Sequence, residues 1–439
     1  MKQNKMIMKI QHYFYILLIS ILFANELPAQ VPAPAPPQQQ AIYLTGATAH
    51  IGDGRVIENC LLAFAEGKIT YVGSADDTPD IDLSAYQKIE AAGMELYPGF
   101  IAPATNLGLV DIGLVRATRD YDEVGAINPN VHSIIAYNTD SPIIPTVRAQ
   151  GILLAQVAPQ GGRVSGSSSI VQLDAWNWED AAYVTDDGLY ISWPQIFSFS
   201  WQERSYAANK KYAEQVQELD IYFTEAKAYI ENPEPEHTNL RFEAMRPLFE
   251  GKSKLYVRAQ EAKEILHAIQ FAKDKDVEMV IVDGREAWMV TEQLKANNIP
   301  VVLRATHNLP NRVHTDIDQP FKTPSLLKEA GVEFCFSQEG YWQQRNLAFQ
   351  AGQAVGFGLD YEDAIAALTS QTAKILGIED RTGTLEAGKD ANMFLCEGDV
   401  LDVRTSKVIS AFIQGRAVSL DHIQKRLYEK FKAKYEADR

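Results

Sequence analysis

The feature that most limits how this 439-residue chain can fold is an alternation of short apolar runs with helix-like segments between residues 98 and 383. The runs are "GFIAPA", "GILLAQVA", "SIVQLDA", "KLYVRAQ", "EMVIVDG", "IPVVLRA" and "VEFCFSQ", and between them lie segments of helical period such as "EAKEILHAIQFAKDKD" and "EAWMVTEQLKANN". Runs that are apolar on both faces fit strands covered by helices on either side, which is the signature of a parallel α/β sheet. Seven such runs in roughly 240 residues suit an eight-stranded α/β barrel, which typically takes about 250 residues. An open doubly wound sheet is the alternative, although no Gly-rich phosphate loop follows the first strand. In a barrel the residues just after each strand share one rim, where a site is expected.

Both flanks read differently. "AIYLTGATAHIGDGRVIENCLLAFAEGKITYVGS" breaks at Gly52-Asp53-Gly54 and at Glu66-Gly67-Lys68, and "DANMFLCEGDV" with "KVISAFIQGRAVSL" repeats short strands with a Gly turn. These are hairpin signals. They predict a β unit assembled from residues 41–97 and 384–420 around a barrel of residues 98–383. The polar stretch from Ser205 to Phe249 predicts helices inserted on the barrel rim, where they could lid the mouth. In the tail, residues 421–439, Ile423, Leu427, Phe431 and Tyr435 recur every four residues on a charged helix. That stripe fits either docking on the chain's own body or a partner helix.

Lys2, Lys5 and Lys9 precede the apolar run "YFYILLISILFA", and small Ala29 follows it, so residues 1–29 read as an export signal, with an uncleaved anchor as the alternative. The run is shorter than the roughly 20 residues that span a bilayer. Residues 30–40, rich in Pro and Gln, read as an extended spacer, which places the start of the folded part near Ala41. The mature protein is expected outside the cytoplasm, periplasmic or extracellular, with no membrane attachment once the signal is cleaved. A formal net charge of -16 has the wrong sign for binding nucleic acid or anionic lipid. Cys60, Cys335 and Cys396, odd in number and each within an apolar run, predict buried free thiols rather than a disulfide framework.

"LTSQTAKILGIEDRTGTLEAGKDANMFLCEGD" followed by "VISAFIQGRAV" resembles the C-terminal signature of the amidohydrolase superfamily, in particular its imidazolonepropionase-related branch. The N-terminal hairpins resemble that family's first strands, and the stretch from "INPNVHSII" to "VQLDAW" resembles its first barrel loops. The resemblance implies a distorted TIM (β/α)8 barrel of the metal-dependent hydrolase type, with a small β-sandwich formed by both chain ends. It also implies hydrolysis of non-peptide C–N bonds, cyclic amides among them, by water activated on zinc or another divalent metal. Such a metal lowers the pKa of its bound water toward about 7 and needs imidazole or carboxylate donors at strand ends.

Carried over residue by residue, the donors are missing. After "PGFI" the family pattern asks for Asp-Ala-His-x-His, and this chain has Ala102, Pro103, Ala104, Thr105 and Asn106. The next ligand positions fall on Arg258, Gln260 and Asp283, and the position of the water-activating Asp falls on Gln338, with Glu339 one residue on. The resemblance thus implies a pocket at Ala104, Asn106, Arg258, Gln260, Asp283 and Gln338, with no metal cofactor expected. His307, with His314 seven residues on, could reach the rim, but that spacing matches no compact ligand motif. Arg258 and Asp283 could form an ion pair in the space a metal would fill, or be unconnected surface residues. "GGRVSGSSS" lacks a nucleophile elbow and reads as a loop, and Asp283 with Glu286 reads as a helix start rather than a glycosidic carboxylate pair.

Two readings follow. One is an amidohydrolase-type protein with impaired catalysis; the other is an exported binding protein or a partner subunit of an active relative. The partners left open are a small-molecule ligand in the barrel mouth and a homo- or hetero-oligomer with a related amidohydrolase. If the export reading holds, N-terminal sequencing of the secreted chain will begin near Gln30, and recovery of an intact Met1 end in the membrane fraction would favour the anchor.

Overall fold

The computed structural model describes residues 32–77, 81–200, 204–232, 237–310 and 312–437. The proposed signal, residues 1–29, lies outside the described residues. The chain opens with β1 (Ile42–His50), β2 (Val56–Ala65), β3 (Lys68–Ser74), β4 (Gln87–Glu90) and β5 (Glu95–Pro98). A second series runs β6 (Phe100–Thr105), β7 (Ile152–Val157), β8 (Val164–Gln172) and β9 (Ala182–Ser192), then a small hairpin of β10 (Phe197–Ser200) and β11 (Ser205–Ala208). It continues with β12 (Lys254–Ala259), β13 (Met279–Asp283), β14 (Val301–Leu303) and β15 (Phe334–Phe336). β16 (Met393–Glu397), β17 (Lys407–Ile413) and β18 (Arg416–Val418) close the chain's strand list before a final helix, Ile423–Ala437.

The terminal strands form one sheet in the order β18-β17-β16-β5-β1-β2-β3, with β4 also paired to β1. It is a single hydrogen-bonded sheet rather than two, and its inner face closes over a core of its own that includes Leu44, Leu62, Phe64, Leu96, Met393, Leu395 and Phe412. Both chain ends contribute to that core. The turns fall where the Gly pattern places them, since Gly52, Gly54, Glu66 and Gly67 all have positive φ.

The central sheet has eight strands in the order β15-β14-β13-β12-β9-β8-β7-β6. Its edge strands β15 and β6 lie near one another without a ladder between them, giving a nearly closed barrel within a mixed α/β fold. Two points differ from the sequence reading. β8, expected as one more parallel strand, is antiparallel to both β7 and β9. The link from Val157 to Val164 is too short for the dozen or more residues that a parallel crossover needs. β9 was not anticipated, because Asp186-Asp187-Gly188 inside it resembles a turn. Gly188 is instead required by packing, as a Cβ there would sit 2.2 Å from Cε2 of Tyr256 on the neighbouring β12.

Within the Ser205–Phe249 stretch, the long helix, Tyr212–Glu231, packs against the helix Ala262–Lys275 that follows β12. It buries Leu219, Phe223 and Ala226, with Phe223 edge-on to Phe271 at 5.1 Å. Lys275 on the helix Ala262–Lys275 pairs with Asp220 at 2.6 Å. The Pro/Gln segment is anchored from at least Ala35, ahead of the expected start at Ala41. The Ala35 N–H donates to Asp174, and Asp174 also pairs with Arg148 and Arg416. The final helix is tied at its start through Thr146 and Gln424, yet leaves Leu427, Phe431 and Tyr435 at 45%, 50% and 63% exposure, so its apolar stripe does not dock on the body. The three cysteines are free and buried, and burial pushes the Cys60 thiol up to about 11. Gly188→Ala is expected to cost about 1–3 kcal/mol or more by overpacking against Tyr256, read from urea unfolding; a variant as stable as the parent would mean that the ring can move aside freely.

Candidate functional site

A cavity of about 370 Å³ opens at the C-terminal ends of the barrel strands. Its lining comes from chain segments far apart in sequence: Ala104 and Asn106 at the end of β6, Arg258 on β12, Asp283 on β13, and Gln338 just after β15. Five of the seven residues singled out from the sequence therefore share one space. Gln260 and His307 do not line it. The Gln260 backbone N–H donates to Glu264 at the start of the following helix. The exposed His307 is held by Gln350 through both its N–H and its Nδ1, and its ring meets Phe321 edge-on.

The floor beneath the cavity was not foreseen. Gln156 on β7 is wholly buried and uses its whole amide: its oxygen accepts from the Ala104 N–H at 3.1 Å and from the Tyr190 hydroxyl at 2.7 Å, while its nitrogen donates to Asp187 at 2.6 Å and Ser168 at 3.3 Å. Asp187 accepts further from Ser168 at 2.8 Å and Tyr256 at 3.2 Å. The rings of Tyr190 and Tyr256 stack at 4.8 Å. Burial pushes the Asp187 carboxyl up to about 6, and its three donors offset part of that rise. The only sequence signal was the pair of acids in "TDDGLY", whose alternation along a strand sends Asp186 and Asp187 to opposite faces.

The guanidinium of Arg258 lies over the Tyr190 ring, 4.9 Å from its centroid. Its Nε and Nη2 are buried and have no hydrogen-bond partner among the described residues. No ion pair joins it to Asp283 among the described residues, so the pairing considered from the sequence does not form. Nearby Arg304 pairs with Glu339 at 2.5 Å. Burial and then the charge of Arg304 lower the pKa of Arg285. Ala104 and Asp283, both at the cavity, adopt positive φ of 52° and 77°, a left-handed backbone that non-glycine residues take at a cost of order 1–2 kcal/mol.

These residues do not fit a divalent metal. The strand ends offer an alanine, two amides, an unpaired guanidinium and one carboxylate, and the second carboxylate, Glu339, is engaged by Arg304. Among the described residues no group of three or more His, Cys, Asp or Glu side chains is placed to hold a metal ion. Glu286, considered with Asp283 as a carboxylate pair, turns away to bond Arg312 and the Ala262 N–H.

The Gly/Ser stretch does bring a serine, a histidine and an acid together. Ser167 donates to Asp186 at 2.6 Å, and His132 Nδ1 meets both Asp186 at 2.7 Å and Ser167 at 3.2 Å. One ring nitrogen serves both neighbours, and the serine proton already lies on the acid. A nucleophilic triad needs the two imidazole nitrogens to divide those tasks. The arrangement therefore holds the loop at Val131–His132 against β8 instead of activating Ser167.

An amidohydrolase family profile matches residues 293–418, from the helix Thr291–Ala296 to β18. Among solved structures, an amidohydrolase from Thermotoga maritima MSB8 is similar at 24% identity with a TM-score of 0.75, over 86% of this chain and 99% of that one. A. niger ochratoxinase is similar at 14% identity and a TM-score of 0.54, over 86% and 95%. A Xaa-Pro dipeptidase with bound methionine in its active site is similar at 14% and 0.52, over 86% and 99%. At these identities the likeness is one of fold. No curated protein gives a significant match.

The raised Asp187 group gives a pH dependence of stability. A carboxyl whose folded pKa exceeds its unfolded value of 3.8 destabilises the fold as it ionises, so its contribution is fully favourable below about pH 4 and is lost as pH rises through about 6. Relative to Asp187→Asn, the parent should lose up to roughly 3 kcal/mol between those limits. Urea unfolding of both proteins across that range tests this, and a constant difference between them would refute it.

Proposed function

We propose that this chain, which carries an amidohydrolase-family segment over residues 293–418 on an amidohydrolase-type barrel, is a member of that family whose metal-dependent hydrolysis is lost or severely reduced. The observation that carries the reading is the composition of the strand ends: Ala104, Asn106, Arg258 and Gln338 stand where the family resemblance asks for metal ligands and the water-activating acid. A fixed guanidinium repels a divalent cation and offers it no lone pair. The cavity itself persists, which favours binding as its use. The "GTLEAGKDAN" bend and returning strands support placement in the imidazolonepropionase-related branch.

The second reading, an exported partner subunit of an active relative, is favoured by the final helix, whose apolar stripe stays exposed. The basic residues and apolar run ahead of Ala29 support export to the periplasm or beyond. Metal analysis by mass spectrometry, on mature protein purified without chelator and again after incubation with zinc, manganese and iron, tests the main reading. Well under one ion per chain and no chelator-sensitive hydrolysis of cyclic amides are expected. About one tightly held ion per chain with chelator-sensitive turnover would overturn it.

A further inference from the structure

We infer that the barrel mouth is a binding site for a small carboxylic acid, gripped side-on by Arg258. The inference rests on the reading above, in that it places the ligand in the cavity of a barrel without a metal. It begins with the two unpartnered nitrogens. Nε and Nη2 lie on one edge of the guanidinium, and that edge presents two parallel N–H groups at the spacing of two carboxylate oxygens. Leaving charged donors buried and unpaired is costly, so the fork is set up for an acceptor that the described residues do not supply.

The fork is also held in place. The backbone oxygen of Arg258 accepts from the Trp193 N–H at 3.0 Å, its guanidinium rests on Tyr190, and the hydroxyl of Tyr190 is fixed on Gln156. The acids that could quench it are accounted for: Glu339 binds Arg304, and Asp283 shares the cavity without pairing to it. Asp283 also selects the class of anion, because a carboxylate in the same lining repels a phosphate dianion more strongly than a single carboxylate.

The rest of the ligand is constrained by two acceptors. Asn106 Oδ1 and Gln338 Oε1 are buried atoms without a partner among the described residues, and both side chains line the same cavity. They call for N–H donors on the ligand. The volume of about 370 Å³ suits a small molecule. The geometry therefore points to a carboxylic acid that carries an amide or amine N–H near its carboxylate.

Calorimetric titration of the mature full chain with N-acetylglycine, acetate, acetamide and inorganic phosphate tests this. Saturable one-to-one binding of N-acetylglycine, tighter than acetate and absent for acetamide and phosphate, is expected. Arg258→Lys keeps the charge and removes the fork, and should weaken N-acetylglycine by at least about tenfold while the thermal midpoint stays near that of the parent. If that variant does not fold, a shift of the Arg258 Nε–H resonance on adding N-acetylglycine to selectively labelled parent protein reports the same contact. No saturable carboxylate binding, a preference for phosphate, binding unchanged in Arg258→Lys, or an unmoved Nε–H resonance would each overturn the site. The two readings fail separately: stoichiometric metal counts against loss of the catalytic centre, whereas absent or Arg258-independent binding counts against the carboxylate site.

Discussion

The barrel depends on a buried amide that satisfies four neighbours at once. Gln156 joins β6 through the Ala104 N–H, β8 through Ser168, and β9 through Tyr190 and Asp187. It does so at the point where the sheet departs from parallel pairing, because β8 runs against both of its neighbours. Buried polar groups in a low-dielectric interior are costly singly and strongly specifying when fully paired. With Tyr256 completing the shell of Asp187, this layer ties together five strands, β6 to β9 and β12, and forms the floor under the mouth.

What stands on that floor follows from it. Tyr190 is oriented by Gln156 and stacks on Tyr256, and the Arg258 guanidinium also lies over its ring. The guanidinium at the mouth thus rests on an aromatic ring rather than on a carboxylate, and its buried Nε and Nη2 have no partner among the described residues. The left-handed backbone at Ala104 and Asp283 lies at the same cavity, Asp283 as the last residue of β13 and Ala104 at an irregularity in the pairing of β6 with β7. A metal-bearing barrel would gather neutral imidazoles and carboxylates around a central cation. Among the residues at this mouth is a guanidinium, which can attract an anion but has no coordination site for water.

Much of the architecture was legible in the chain, for reasons that are local. Hairpin glycines, apolar runs and helical periodicity mark the terminal sheet and the strands β6, β7 and β12 to β15. β9 escaped because Asp186-Asp187-Gly188 carries turn chemistry, and only the facing ring of Tyr256 explains why a glycine belongs in the strand. The helices of the Ser205–Phe249 stretch were legible, but what the long one packs on was not, because its apolar face on Leu219, Phe223 and Ala226 is sparse. His307 and Gln260 follow strands, as a rim residue should, but their bonding to Gln350 and to the start of a helix keeps them out of the cavity.

The sequence by itself determined which chemical groups stand at the strand ends, and hence that metal-ligating donors are scarce there, because side-chain type is a property of each position. Whether those groups meet, and which of them remain unpaired, was decided by tertiary structure. Arg258 and Asp283 both reach the mouth, yet the stack on Tyr190 holds the guanidinium in place without an ion pair between them. That outcome turns on the direction of an aromatic ring set by a buried amide two strands away in the sheet, a relation that no local pattern of residues encodes.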